Sequence, residues 1–71
     1  MILVATSLED LRKQIREERI RQQLPQHLLA EKAGVGTKTI SNAEIGMFVP
    51  HTEVLLSIVK ALGYEELCIK L

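Results

Sequence analysis

The sequence predicts an all-α domain, a compact bundle of four helices followed by a short C-terminal β-strand. The chain has 71 residues, 46% of them hydrophobic, yet Phe48 and Tyr64 are its only aromatic residues. A core built from aliphatic side chains suits packed helices. A chain of this length buries only about 60% of its unfolded surface. We therefore expect a single domain over residues 1–71, with a core over about 7–63 and a tail over 64–71 that adds stability by dimerising.

The spacing of apolar and helix-terminating residues predicts the four helices. Thr6 and Ser7 both offer N-caps, with Glu9 and Asp10 three residues later as in a capping box. Leu24-Pro25 stops the first helix, because the residue before proline avoids the helical region. Gly34 and Gly46 end the second and third helices, and Gly63 ends the fourth. The predicted ranges are 7–23, 26–33, 37–44 and 52–62.

Both ends of the chain have β character. Residues 1–5 form a short apolar run, and residues 66–71 alternate, with Leu67, Ile69 and Leu71 on one side. A period of two indicates a strand. A lone exposed strand of this kind tends to pair, either with a second copy of the chain or with residues 1–5. We expect a two-fold dimer with Leu67, Ile69 and Leu71 in its interface.

Composition excludes several other functions. Cys68 is the only cysteine, His27 and His51 lack a metal-ligand spacing, and no nucleophile–base pair is present, so we expect neither metal, cofactor nor catalytic site. No segment resembles a signal peptide or a membrane span, which predicts a cytoplasmic protein without membrane partners. The formal net charge of zero counts mildly against nucleic-acid binding, although arginine and lysine cluster near the start of the chain.

The most informative segment is residues 26–44, which reads as a helix-turn-helix. Two short helices flank a turn that begins at Gly34, the small Ala30 lies where they cross, and the apolar Ile40 fastens the second helix to the first. Such a crossing lets the second helix project its N-terminal residues into the major groove of DNA.

An ordered set of residues at consistent spacing extends this pattern over about residues 11–63. The set consists of Ile15–Arg19, Leu24–Gln26, Leu29–Val35, Thr39–Ser41, Glu44, Gly46, Pro50 and Leu55–Gly63. With it the chain resembles the phage-repressor and Cro-type helix-turn-helix family, also called the XRE-type family, and its lambda-repressor-like fold. The resemblance implies a homodimeric repressor of transcription that binds a palindromic operator in double-stranded DNA.

The resemblance also implies a role for each matching position. Gln26 would hold a phosphate and brace the recognition helix, and the backbone of the 47–51 loop, which includes His51, would meet another phosphate. Arg19 and Glu44 would form a partly buried ion pair that orients the helices. The residues that would face the major groove are Thr37, Lys38, Ser41 and Asn42. Thr37 or Thr39 could instead bond a phosphate.

Two positions depart from the family pattern. Pro25 stands where a serine or threonine usually caps the second helix, which puts one capping bond in doubt. Ala43 is small where a bulky apolar residue is usual, and we expect Met47 and Phe48 to fill the resulting space.

Two further interpretations remain open. Leu62-Gly63-Tyr64 followed by the alternating tail resembles the antitoxins of HipA-type kinase toxin modules, which implies a toxin kinase as partner and autoregulation of an operon. The neutral charge keeps open a protein-interaction module that retains the fold without specific DNA binding. An enzyme has almost no support in the sequence.

Overall fold

Six elements follow one another in the computed structural model, which describes residues 1–46 and 48–70. They are β1 (Ile2–Ala5), α1 (Leu8–Arg21), α2 (Gln26–Ala33), α3 (Thr37–Ile45), α4 (Thr52–Ala61) and β2 (Glu66–Ile69). The prediction of a four-helix bundle with a C-terminal strand is confirmed. The apolar run at the start of the chain adds a second strand.

Helix α1 is capped by Ser7, one of the two caps that its sequence offers, and ends earlier than expected. Its first turn is held by Ser7, whose Oγ accepts a hydrogen bond of 3.0 Å from the amide of Asp10. The helix ends at Arg21 rather than at Gln23, because Gln23 adopts a left-handed φ of 56°. The amide of Leu24 then bonds back to the carbonyl of Arg19, which closes the helix end before the proline.

The core is a single cluster of aliphatic side chains drawn from the helices and β1. Its members are Leu3, Ala5, Leu11, Ile15, Leu29, Ala30, Ile40, Ala43, Leu55, Ile58, Val59 and Leu62. Phe48 is 75% exposed and does not fill the space beside Ala43, so that expectation was wrong. Met47, the other residue expected there, lies outside the described residues.

The two strands pair with each other in parallel, with Ile2 opposite Glu66 and Ala5 opposite Ile69. Their inward face carries Leu3 and Ala5, which are buried, and Leu67 and Ile69, which pack half-buried against the helical core. The C-terminal strand therefore finds its first partner within the chain, one of the two possibilities that the sequence left open. Strand β2 ends at Ile69, and Leu71 lies outside the described residues.

A polar cluster joins the end of α1 to the segment that follows α4. Glu18 accepts hydrogen bonds from Arg21, from Gln22 (3.1 Å) and from the hydroxyl of Tyr64 (3.1 Å), while Gln22 also donates to the carbonyl of Leu62 (2.7 Å). The bond from Arg21 lowers the pKa of Glu18. Burial, followed by the bond to Glu18, raises the pKa of Tyr64. The cluster fixes α1 relative to the start of β2.

Candidate nucleic-acid interface

The turn between α2 and α3 sets the relative position of these two helices. Gly34 caps α2 with a left-handed φ of 72°, a conformation that glycine adopts without the strain of a Cβ. The amide of Val35 bonds back to the carbonyl of Ala30. Ala30 and Ile40 are buried between the helices, so α3 is held against α2 while its opposite face stays open to solvent.

A buried carboxylate anchors α3 from behind. Glu44 accepts hydrogen bonds from Arg19 through Nε (2.6 Å, to Oε2) and through a terminal nitrogen (3.1 Å, to Oε1), so the pair is bidentate. The Glu44 side chain is 2% exposed and the Arg19 side chain 14%. Gln26 donates from Nε2 to the same carboxylate at 3.3 Å, and Arg19 reaches the carbonyl of Leu24 at 3.0 Å. One carboxylate thus links α1, α2 and α3.

The solvent-facing side of α3 is polar from Thr37 to Asn42 and carries no exposed carboxylate. Thr37 and Lys38 are exposed, and Thr39, Ser41 and Asn42 are half-buried. The only acidic residue of α3, Glu44, is buried behind the helix. The local charge is therefore positive although the whole chain is neutral.

The N-termini of α2, α3 and α4 share a feature that α1 lacks. Their N-cap residues, Pro25, Gly36 and His51, make no side-chain capping bond, whereas Ser7 caps α1. The first backbone N–H groups of a helix have no intrahelical partner and attract anions. The first turns of α2 and α3 also lack acidic residues, although α4 carries Glu53.

The connection after α3 is fixed by an arginine that the sequence did not single out. The guanidinium of Arg12, on α1, donates to the carbonyl of Gly46 and, at 3.4 Å, to the carbonyl of Phe48. These acceptors are backbone atoms far along the chain, and a backbone carbonyl has no signature in the sequence. Gly46 in turn lies against the backbone and side chain of Asn42, where a Cβ would overlap.

Comparison with known proteins agrees with this geometry. The model of a helix-turn-helix family matches residues 15–67, which is most of the chain. The chain belongs to the XRE-type helix-turn-helix family. No curated protein and no solved structure shows a significant similarity to it.

Membership of the XRE-type family makes this chain a DNA-binding regulator in the general sense. Within the fold, Thr37, Lys38, Thr39, Ser41 and Asn42 share one helix, α3, which is the second helix of the helix-turn-helix. Gln26 lies beside that helix through its contact with Glu44, and His51 begins α4.

Two of the residues expected in a dimer interface lie away from α3, and the described residues offer neither a metal site nor a membrane-spanning helix. Leu67 and Ile69, expected in a dimer interface, belong to β2 and lie apart from α3. Among residues 1–46 and 48–70, no cluster of three histidine, cysteine or carboxylate side chains could hold a metal ion. In the same residues, the helices are too short or too polar to cross a bilayer.

The contact of Arg12 leads to a stability prediction. Replacing Arg12 with glutamine removes two charge-assisted hydrogen bonds to backbone carbonyls, so we expect the free energy of unfolding to fall by about 1–3 kcal/mol. Lys13→Gln, at the exposed neighbouring position on α1, removes the same charge and should change it by less than about 0.5 kcal/mol. Urea denaturation of both variants makes the comparison. Equal losses would mean that Arg12 acts only through its charge.

Proposed function

We propose that this protein is a sequence-specific transcriptional repressor that binds a palindromic operator in double-stranded DNA as a homodimer. The observation that carries the proposal is the recognition helix α3. Its outer face presents hydrogen-bonding side chains and no exposed carboxylate, while the buried Arg19–Glu44 pair holds the helix from behind. Such a helix meets DNA with a rigid, locally positive surface.

Each groove-facing side chain has a matching base chemistry. Lys38 can donate to O6 or N7 of guanine, and Asn42 can make a bidentate contact with adenine through its amide. Ser41 lies between them in sequence and can donate to or accept from either kind of base. Thr37 and Thr39, near the start of the helix, have hydroxyls that can bond a base edge or the nearest phosphate.

The surrounding backbone and Gln26 supply contacts to phosphates. One amide hydrogen of Gln26 is directed to Glu44 at 3.3 Å, and the second remains available for a phosphate oxygen. The N-termini of α2, α3 and α4, with His51 at the last of them, offer backbone N–H groups without side-chain caps. These contacts act through local positive potential and do not require a positive net charge of the whole chain, which reconciles the neutral chain with affinity for DNA.

A comparison of contact types tests this function. Binding of the chain to a selected genomic fragment should weaken as salt rises, as phosphate contacts require. Lys38→Ala and Asn42→Ala should each lower the preference for the selected fragment over random duplex. The expected loss is about 1–3 kcal/mol for each variant, the discrimination that one base contact provides. Gln26→Ala should instead weaken specific and random duplexes by a similar factor.

Fluorescence anisotropy with both duplexes measures these differences. A uniform loss for all three variants would argue against base reading by α3. Equal affinity of the unaltered chain for selected and random duplexes, together with a tight protein partner, would favour the second candidate. That candidate is a protein-interaction module on the same fold, and the zero net charge is the observation that favours it. A kinase-like toxin encoded beside this chain would make it an antitoxin in either case, and an autoregulating one only if it also binds its operator.

The proposed dimer uses the outer edge of β2 and the groove beside it. Within the described residues the sheet has two strands, so β2 has a neighbour on one side only. The groove next to that strand is lined by Thr52 and Leu56 of α4 and by Leu67 and Ile69 of β2. A second copy related by a two-fold axis would continue the sheet and cover these apolar side chains. It would also present two recognition helices to successive turns of DNA.

A charge in the groove tests the dimer. Leu56→Glu should convert the dimer to a monomer in sedimentation velocity at micromolar concentration, because the carboxylate would be buried without a partner. Phe48→Glu makes the same kind of change at an exposed position on the α3–α4 connection and should leave the dimer intact. If the dimer survives Leu56→Glu but not Phe48→Glu, the interface lies at the α3–α4 connection and not at the groove beside β2.

A further inference from the structure

The last residue of the recognition helix is a large aliphatic side chain with no place in the core. Ile45 is 71% exposed, whereas Ile40, Ala43 and Glu44 on the inner side of α3 are buried. The helical period puts Ile45 on the same face as Lys38, the position seven residues earlier. It also follows Asn42 by three residues. The proposed base-reading face therefore ends in an apolar group.

The position of Ile45 is fixed by its neighbours on both sides along the chain. Glu44, directly before it, is held by the bidentate contact with Arg19. Gly46, directly after it, packs against Asn42, and its carbonyl accepts a hydrogen bond from Arg12. The backbone at Ile45 is thus restrained, while its side chain points to solvent. Little conformational freedom of the backbone would be lost when this side chain meets a ligand.

The chemistry of the major groove identifies what such a side chain can contact. The C5-methyl of thymine is the apolar group that the four base pairs present there, and it is read by apolar contact. Lys38 and Asn42 have hydrogen-bonding chemistry for guanine and adenine but none for a methyl group. We infer that Ile45 is a specificity-determining residue that packs on a thymine methyl in each operator half-site. This inference rests on the proposed function, since it needs α3 in the groove.

The test removes the methyl group from the DNA and the side chain from the protein. The 71-residue chain would first be used to enrich a duplex from a pool with a randomised interior. Copies of that duplex would then carry deoxyuridine in place of each thymine in turn. We expect a loss of about fourfold in affinity at one thymine per half-site, the effect of burying one methyl-sized group. Ile45→Ala should abolish that loss while keeping the sensitivity to every other substitution.

Two controls make the result specific to this contact. Ile20→Ala truncates an isoleucine on α1 that is 55% exposed, and it should reproduce the unaltered profile. Ile45→Val should retain part of the sensitivity to the methyl group. Thermal unfolding of Ile45→Ala should match that of the unaltered chain, because the side chain lies outside the core.

The possible outcomes separate this inference from the function on which it rests. If Ile45→Ala keeps the whole deoxyuridine profile, or weakens all duplexes equally, the thymine contact is wrong and the repressor function stands. If Phe48→Ala rather than Ile45→Ala removes the methyl sensitivity, the contact belongs to the following connection and the inference also fails. If the unaltered chain enriches no duplex, the proposed function and the inference fail together.

Discussion

Replacing Arg19 with methionine is expected to lower the free energy of unfolding by about 3–5 kcal/mol, because it leaves the carboxylate of Glu44 buried without its charged partner. Glu44 is 2% exposed on its side chain and receives two of its three hydrogen bonds from Arg19. The single contact that remains, from Gln26 at 3.3 Å, cannot replace an ion pair. Chemical denaturation at neutral pH measures the loss.

The double variant Arg19→Met/Glu44→Met is the control for this experiment. Removing both charges also removes the cost of burying them, so the double variant should be more stable than Arg19→Met alone. Equal losses in the two variants would contradict a buried pair. Because Glu44 also orients α3, the double variant should keep its fold yet lose affinity for DNA, a separation that helix content and duplex titration can detect.

Gly46→Ala is expected to be the other severe substitution, because overpacking should lower the free energy of unfolding by about 3 kcal/mol or more. A Cβ at this position would overlap the Cα and side chain of Asn42, and backbone atoms of a helix cannot move aside cheaply. The backbone of Gly46 is itself ordinary, with φ of −71°, so the requirement is for space and not for a special conformation.

Gly36→Ala provides the matched control for that prediction. A Cβ at Gly36 meets nothing within 4 Å, and its φ of −79° suits any residue. It should change stability by less than about 1 kcal/mol, as the weaker capping by alanine and the lower entropy of the unfolded chain oppose each other. Thermal melts of the two variants compare them directly. Similar melting temperatures would mean that Asn42 can yield to the added methyl group.

The helices could be predicted because their signals are local. Gly34 and Pro25 act on the residues beside them, and the spacing of Val54, Leu55 and Ile58 repeats within a few turns. The end of α1 was misplaced because Gln23 adopts a positive φ that its residue type does not announce. The expectation that Phe48 packs beside Ala43 failed for a different reason. The sequence does not show which side chains surround a small core residue, because that depends on how the helices pack.

The candidate site could be predicted only in part, for a similar reason. Lys38 and Asn42 could be named from the sequence because the helix-turn-helix motif implies which side of its second helix faces the DNA. Arg12 was missed because its partners are backbone carbonyls more than thirty residues away. Ile45 was missed because a large apolar side chain is ordinarily assigned to the core, and only its exposure in the folded chain marks it as available. Contacts between residues far apart in the sequence, and apolar side chains that stay exposed, can be identified only from the folded structure.

The parallel pairing of β1 with β2 has a consequence for how the domain assembles. Its strands come from opposite ends of the chain, with Ile2 opposite Glu66, and all four helices lie between them. Closing so long a loop costs entropy that no local contact offsets. The sheet can therefore persist only while the packed helices hold its strands together. Its hydrogen bonds report on the integrity of the whole bundle. A disturbance at the N-terminal strand reaches the helical core through Leu3 and Ala5, and one at the C-terminal strand through Leu67 and Ile69.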